Sequence, residues 1–165
     1  MSKKEEKTNV MRLLEQKKIA YTPHSYEGGA LSGAEVAAAV GKPPECVFKT
    51  LVTVGASGGH YVFVVPVLSE LNLKAAARLS GEKSIRMIPQ KELLPLTGYV
   101  HGGCSPIGMK KPFPTFVDES ALACPTILFS AGKVGYQVEL APEELRKMVN
   151  FQTGRLCEGE GSGNG

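Results

Sequence analysis

The sequence predicts an α+β (mixed α/β) fold in a single domain, and three observations predict it. Segments with helical periodicity alternate with short runs rich in β-branched residues. Two of those runs, residues 46–54 and 60–67, flank the turn signal Ala56-Ser57-Gly58-Gly59 and read as a hairpin. The chain has 165 residues, 42% of them hydrophobic, enough for one compact core and too few for two ordinary domains. Interleaved helices and strands with at least one hairpin imply a mixed sheet.

Residues 4–18 read as an amphipathic helix with Val10, Leu13 and Leu14, joined by Lys17, on one stripe. Residues 19–22 form a short strand that Pro23 should stop. A second helix starts at Ser32, where Ser32 and Glu35 have capping-box spacing, and ends at Gly41. After the hairpin, residues 72–79 read as a helix stopped by Ser80-Gly81, and residues 85–88 as a brief strand. Pro89 opens a helical turn or two. Residues 97–114 hold four glycines and three prolines and read as a long structured loop. Strands follow at 115–117, 126–130 and 136–140, then a helix over 142–149 with Pro142 in its first position. The predicted organisation is a flexible segment 1–8, a domain 9–156 and a Gly-rich tail 157–165.

Composition narrows the function classes. No apolar run approaches the roughly 20 residues of a membrane span, and residues 1–8 are charged, without a signal-peptide core. The expected compartment is therefore cytoplasmic. Net charge is +3 and no block of like charges appears, so a polyanionic partner is permitted but not required. Trp is absent and aromatics are 7%, which argues against a stacking platform for single strands. The four cysteines (Cys46, Cys104, Cys124, Cys157) and three histidines (His24, His60, His101) show no zinc spacing, so no metal or other cofactor is expected. In a cytoplasmic chain the thiols should be reduced, with Cys46 and Cys124 serving as small core residues.

Familiar catalytic patterns fail. Gly103 and Gly108 have phosphate-loop spacing, but Met109 follows where lysine is needed. Gly103-Cys104-Ser105-Pro106 continues with Ile107, not the glycine of a nucleophile elbow. Three features remain. Lys49 sits inside the most apolar strand, sharing a face with Val47 and Leu51 while Phe48, Thr50 and Val52 point the other way. It is either a lysine held in a cleft or an edge lysine reaching water. The stretch 98–108, with Gly102 and Gly103, is either a ligand-approaching loop or a long turn. Ser130-Ala131-Gly132, between two apolar strands, is either a plain connection or a set of N–H groups facing an anion.

Taken together and in this order, those segments resemble the YbaK/EbsC family. These are free-standing Cys-tRNA(Pro) deacylases related to the editing domain of bacterial prolyl-tRNA synthetases. The matching residues are Val47-Phe48-Lys49-Thr50-Leu51, Gly98-Tyr99, Gly102 to Gly108 with Lys110-Lys111, Ser130-Ala131-Gly132-Lys133 with Gly135, and Glu139-Leu140. His24-Ser25-Tyr26 also matches, and the similarity spans residues 9–149.

The resemblance implies a barrel-like mixed sheet flanked by helices and a trans-editing hydrolase that cleaves cysteine from mischarged tRNA. It implies Lys49 as the catalytic residue, with Tyr26, Thr50, Gly102, Gly103, Ser130, Ala131 and Gly132 around the substrate. The nucleophile is the substrate's own thiol, which removes the need for a triad. Lys49 would hold the terminal ribose or phosphate, and the glycine-rich N–H groups the oxyanion. Cys104 is not the nucleophile on this reading. The implied partners are the tRNA acceptor 3′ end and, transiently, prolyl-tRNA synthetase. Thr50 favours the cysteine branch, since alanine-editing relatives tend to carry Asn there. Gln137 departs from the Asp of some relatives, which leaves any acidic contribution there in doubt. The alternatives are deacylation of Ala- or another small aminoacyl-tRNA, and a non-catalytic tRNA- or synthetase-binding module.

Overall fold

The computed structural model describes residues 7–29 and 31–157. The predicted Gly-rich tail beyond residue 157 and the first six residues lie outside this range. Within it, the first helix is α1 (Asn9–Gln16), which buries Val10, Met11 and Leu14. Thr8 caps it by accepting the Met11 N–H at 3.2 Å, so the ordered domain begins before the first helical residue. The predicted stripe gains Met11, and Lys17 falls just past the helix as its C-cap.

Eight strands among the described residues form two sheets. β1 (Thr22–Ser25), β7 (Tyr136–Leu140) and β6 (Ile127–Ser130) make an antiparallel sheet in that order. The second sheet runs β4 (Ile85–Met87), β2 (Phe48–Gly55), β3 (His60–Pro66), β5 (Thr115–Asp118) and β8 (Phe151–Gly154). Its β3–β5 and β5–β8 pairs are parallel and the others antiparallel, giving the mixed sheet expected. One parallel bridge, Val47 to Leu128, ties the two sheets. The arrangement is barrel-like without closing, because β1, β6, β4 and β8 each remain at an edge.

Pro23 does not end a strand; it lies in the middle of β1. The register explains this correction. Tyr26 N–H bonds to Gly135 O at 3.0 Å, so alternate residues face β7 and the ring nitrogen of Pro23 faces outward, where no donor is needed.

The predicted β2–β3 hairpin forms, with a register that pairs Phe48 with Pro66 and Val54 with His60. The two faces of β2 serve different cores. Phe48 and Val52 join the larger cluster with α1, β6 and β7, including Val10, Leu14, Phe129 and Val138. Leu51 packs on the opposite side against Phe63, Val65, Phe116 and Ala76, the last from α3 (Leu73–Ser80). A strand with apolar cover on both faces reads as a nearly continuous apolar run, as this one does.

α2 (Gly33–Val40) carries the capping box in full: Ser32 Oγ accepts from Glu35 N–H and Glu35 from Ser32 N–H. A side chain at Gly33 would meet Val67 Cβ at 2.5 Å, so glycine lets the helix start close against the end of the hairpin. α4 (Leu93–Thr97) leads into the long loop, and α5 (Pro142–Arg146) is shorter than predicted.

Cys46 and Cys124 are not free core thiols but a disulfide, with Cα atoms 6.0 Å apart. Each ends a 3-10 turn or follows one, and each leads into the strands that the Val47–Leu128 bridge holds side by side. That placement brings the sulfurs together. Cys104 and Cys157 are free. No described helix is long and apolar enough to cross a membrane.

Candidate active site

A cavity of about 460 Å³ opens where the two sheets part, and Lys49, Thr50, Tyr26, Gly102 and Ser130 all line it. That volume falls within the usual range for small-molecule sites. Its floor is β2, its far wall the ends of β6 and β7, and its rim includes α2, β4 and the long loop. The sequence reading missed the contributions of α2 and β4: Gly33 and Val36 from one, Met87 and Ile88 beside the other.

β2 presents an uncovered edge here. Val67 N–H bonds to Val47 O on the β3 side, and Ile88 N–H to Val52 O on the β4 side. Alternation therefore turns the main-chain N–H and C=O of Thr50 toward the β4 side, where β4 covers only Thr53–Gly55. Lys49 is half-buried on the face it shares with Leu51, opposite Val65. Among the described residues its ammonium forms no ion pair and no hydrogen bond. Its charge reaches Cys157, where it opposes the rise that burial imposes on that thiol.

The oxyanion donors expected from the loops are mostly committed elsewhere. Gly103 N–H bonds to Val100 O at 2.9 Å, and Ala131 N–H to Tyr136 O at 3.0 Å. Gly132 N–H bonds to Ser130 Oγ at 3.0 Å. Gly103, Ala131 and Gly132 also do not line the cavity. Gly103 instead packs its loop on the other: a Cβ there would stand 3.1 Å from Val134 N and 3.3 Å from Lys133 Cα. Gly132 holds a φ of +93° against Val10 and Tyr99. Gly102 N–H, by contrast, lies at the cavity and has no partner among the described residues.

The loop itself is a built structure. Thr97 Oγ1 donates to Leu93 O and accepts from Tyr99 N–H, Lys110 N–H bonds to Thr97 O, and Tyr99 Oη donates to Ile107 O. Burial pushes the Cys104 thiol up to about 12, partly offset by the Thr97 hydroxyl. It therefore stays protonated at neutral pH and is a poor nucleophile. His101 lines the cavity and makes no hydrogen bond to a serine, threonine or cysteine among the described residues.

Two polar atoms in the lining residues are buried without a partner, Thr50 Oγ1 and Gln137 Oε1. The sequence marks Thr50 as a site residue, and it marks Gln137 only as a departure from the Asp of some relatives, without its unpaired oxygen. On β7, Tyr136, Val138 and Leu140 enter the main core, which leaves Gln137 and Glu139 on the other face. Glu139 is fully engaged: His24 Nε2 and Lys42 reach it at 2.8 and 3.3 Å, and Thr126 Oγ1 donates at 2.6 Å. No Asp or Glu among the described residues lines the cavity. Among the described residues no group of three His, Cys, Asp or Glu side chains could hold a metal.

This open cleft between two sheets, with its half-buried lysine, belongs to a chain that matches the aminoacyl-tRNA editing domain. The chain belongs to that family, which it matches over residues 28–148. It is 44% identical over 160 residues to an Enterococcus faecalis (strain ATCC 700802 / V583) protein named "Putative Cys-tRNA(Pro)/Cys-tRNA(Cys) deacylase EbsC", covering 96% of this chain and 98% of that one. Among solved structures, one titled "Crystal structure of a putative trans-editing enzyme for prolyl tRNA synthetase" superposes with a TM-score of 0.82 at 30% identity, over 91% of this chain and 95% of that one. The structure of a hypothetical protein shares the fold with a TM-score of 0.84 at 24% identity, over 92% of this chain and 100% of that one.

Proposed function

We propose that this protein is a trans-editing deacylase that removes cysteine from Cys-tRNA(Pro) in the cytoplasm, meeting prolyl-tRNA synthetase transiently. The observation that carries this reading is the half-buried Lys49, without a counter-ion among the described residues, in a cavity lining that also holds Thr50 and Gly102, whose N–H groups are unpaired among those residues. The 44% identity to a protein named for this activity supports the substrate. A cation placed there suits the terminal ribose or phosphate of the acceptor end. Preorganised N–H groups suit a carbonyl oxygen that becomes negative.

The cavity offers no activated protein nucleophile: Cys104 is held protonated, and Ser130 Oγ accepts the Gly132 N–H. The substrate's thiol supplies the missing group. Its sulfur bonds to the ester carbonyl carbon, the bond to the 3′ oxygen breaks, and that oxygen leaves with the proton lost by the thiol. Water then opens the cyclic thioester to free cysteine. Because the attack is intramolecular, positioning replaces a catalytic triad. Lys49 holds the leaving end, and Thr50 and Gly102 N–H groups hold the oxyanion, in place of the committed donors of Gly103, Ala131 and Gly132.

The test is a deacylation assay on Cys-, Ala- and Ser-tRNA(Pro), with and without prolyl-tRNA synthetase. Faster release of cysteine than of alanine or serine is expected, because neither competitor brings a thiol. Equal release of all three would overturn the thiol-assisted mechanism.

A further inference from the structure

The acceptor-only oxygen of Gln137 requires a hydrogen-bond donor, and no described residue provides one. Gln137 is 6% exposed, Oε1 is buried without a partner, and the residue lines the cavity from the middle strand of the three-stranded sheet. Its backbone is fixed on both sides, by His24 on β1 and Ser130 on β6. A buried carbonyl left unpaired is costly, and such a group points to a missing partner.

The aminoacyl end of the substrate has few strong donors. The ester oxygens only accept, the thiol is a weak donor that must stay free to attack, and the amino group carries the strongest N–H groups. That amine is cationic when protonated, so it is best placed away from Lys49. Gln137 adds no charge of its own and belongs to the other sheet from β2. Among the described residues no carboxylate lines the cavity, and Glu139, two residues along on the same face, is occupied by His24, Lys42 and Thr126. We infer that Gln137 is a specificity-determining residue that accepts a hydrogen bond from the substrate's α-amino group, reading the amine with a neutral oxygen. This rests on the deacylase reading above and adds to it the residue that fixes the amino acid's orientation. A neutral acceptor takes an N–H from either protonation state, so the contact survives as the amine titrates.

The experiment compares two uncleavable ligands by titration calorimetry: 3′-amide-linked cysteinyl-adenosine and its 3-mercaptopropionyl counterpart, which lacks the amine. The wild-type protein should prefer the amine-bearing ligand by about 10-fold or more, the scale of one buried hydrogen bond to a charged group. In Gln137→Leu that ratio should collapse toward one. In Gln137→Glu it should persist and grow as pH falls from 9 to 7, since an ammonium then meets a carboxylate. Equal binding of both ligands by wild type, or an undiminished ratio in a folded Gln137→Leu, overturns the inference and leaves the deacylase reading standing. If wild type binds neither ligand, the deacylase reading fails and this inference falls with it. The wild-type ratio decides the matter even if the leucine variant does not fold.

Discussion

His24 Nε2 lies 2.8 Å from Glu139 Oε1, joining the edge strand β1 to the central strand β7 through side chains as well as backbone. Burial alone would raise the Glu139 carboxyl, but the contacts from Thr126, His24 and Lys42 outweigh it and hold it below its ordinary value. A carboxylate whose folded value is depressed stabilises the fold above its unfolded value and loses that contribution as pH falls through the folded one. Thermal melts should therefore lose stability below about pH 4.5. Glu139→Gln should cost about 1–3 kcal/mol at pH 7 and lack that acid-limb component. Parallel acid limbs in variant and wild type would contradict this.

Lys49→Ala should lower kcat/KM for Cys-tRNA(Pro) by about 10²–10³-fold, the usual loss when one preorganised electrostatic contact is removed. The melting temperature should stay within a few degrees of wild type, because the half-buried lysine has no ion pair to lose among the described residues. Wild-type turnover by this variant would remove Lys49 from the mechanism.

Cys104→Ala should retain deacylation within about twofold, the change expected when no transition-state contact is lost. The buried thiol, raised to about 12, should also resist iodoacetamide at pH 7 in the native protein. Complete loss of activity in a normally folded Cys104→Ala would instead assign the nucleophile to the protein.

Reduction should be felt thermally. The Cys46–Cys124 bond joins residues 78 apart in sequence, a span for which a disulfide contributes roughly 2–4 kcal/mol. Melts with and without reductant should differ by roughly 5–15 °C for a chain of this length. Mass-resolved alkylation after denaturation should count two free thiols before reduction, those of Cys104 and Cys157. Four alkylated cysteines without reductant would contradict the pairing.

Local signals were legible wherever one segment determines its own structure. Ser32 and Glu35 announce the start of α2, and the β-branched run through Val52 with Gly58-Gly59 announces the hairpin. β8 is not legible, because Phe151-Gln152-Thr153-Gly154 has one large apolar residue and pairs in parallel with the distant β5. Pairing of Cys46 with Cys124 needs the Val47–Leu128 bridge, a relationship between strands that spacing cannot encode. At the site, Lys49 was marked by its apolar neighbours. Gln137 was marked only as a departure from an acidic residue, because an unsatisfied oxygen becomes visible only when its surroundings are in place. The N–H groups of Ala131 and Gly132 looked available for the same reason, until Tyr136 and Ser130 proved to accept them.

The outward ring of Pro23 has a consequence beyond the chain's own packing. A second molecule laid along β1 would find a ring where its carbonyl needs an N–H, so the ladder could not be zipped from one copy into the next. The outermost strand thereby acts as a built-in guard against fibre-like stacking from that side.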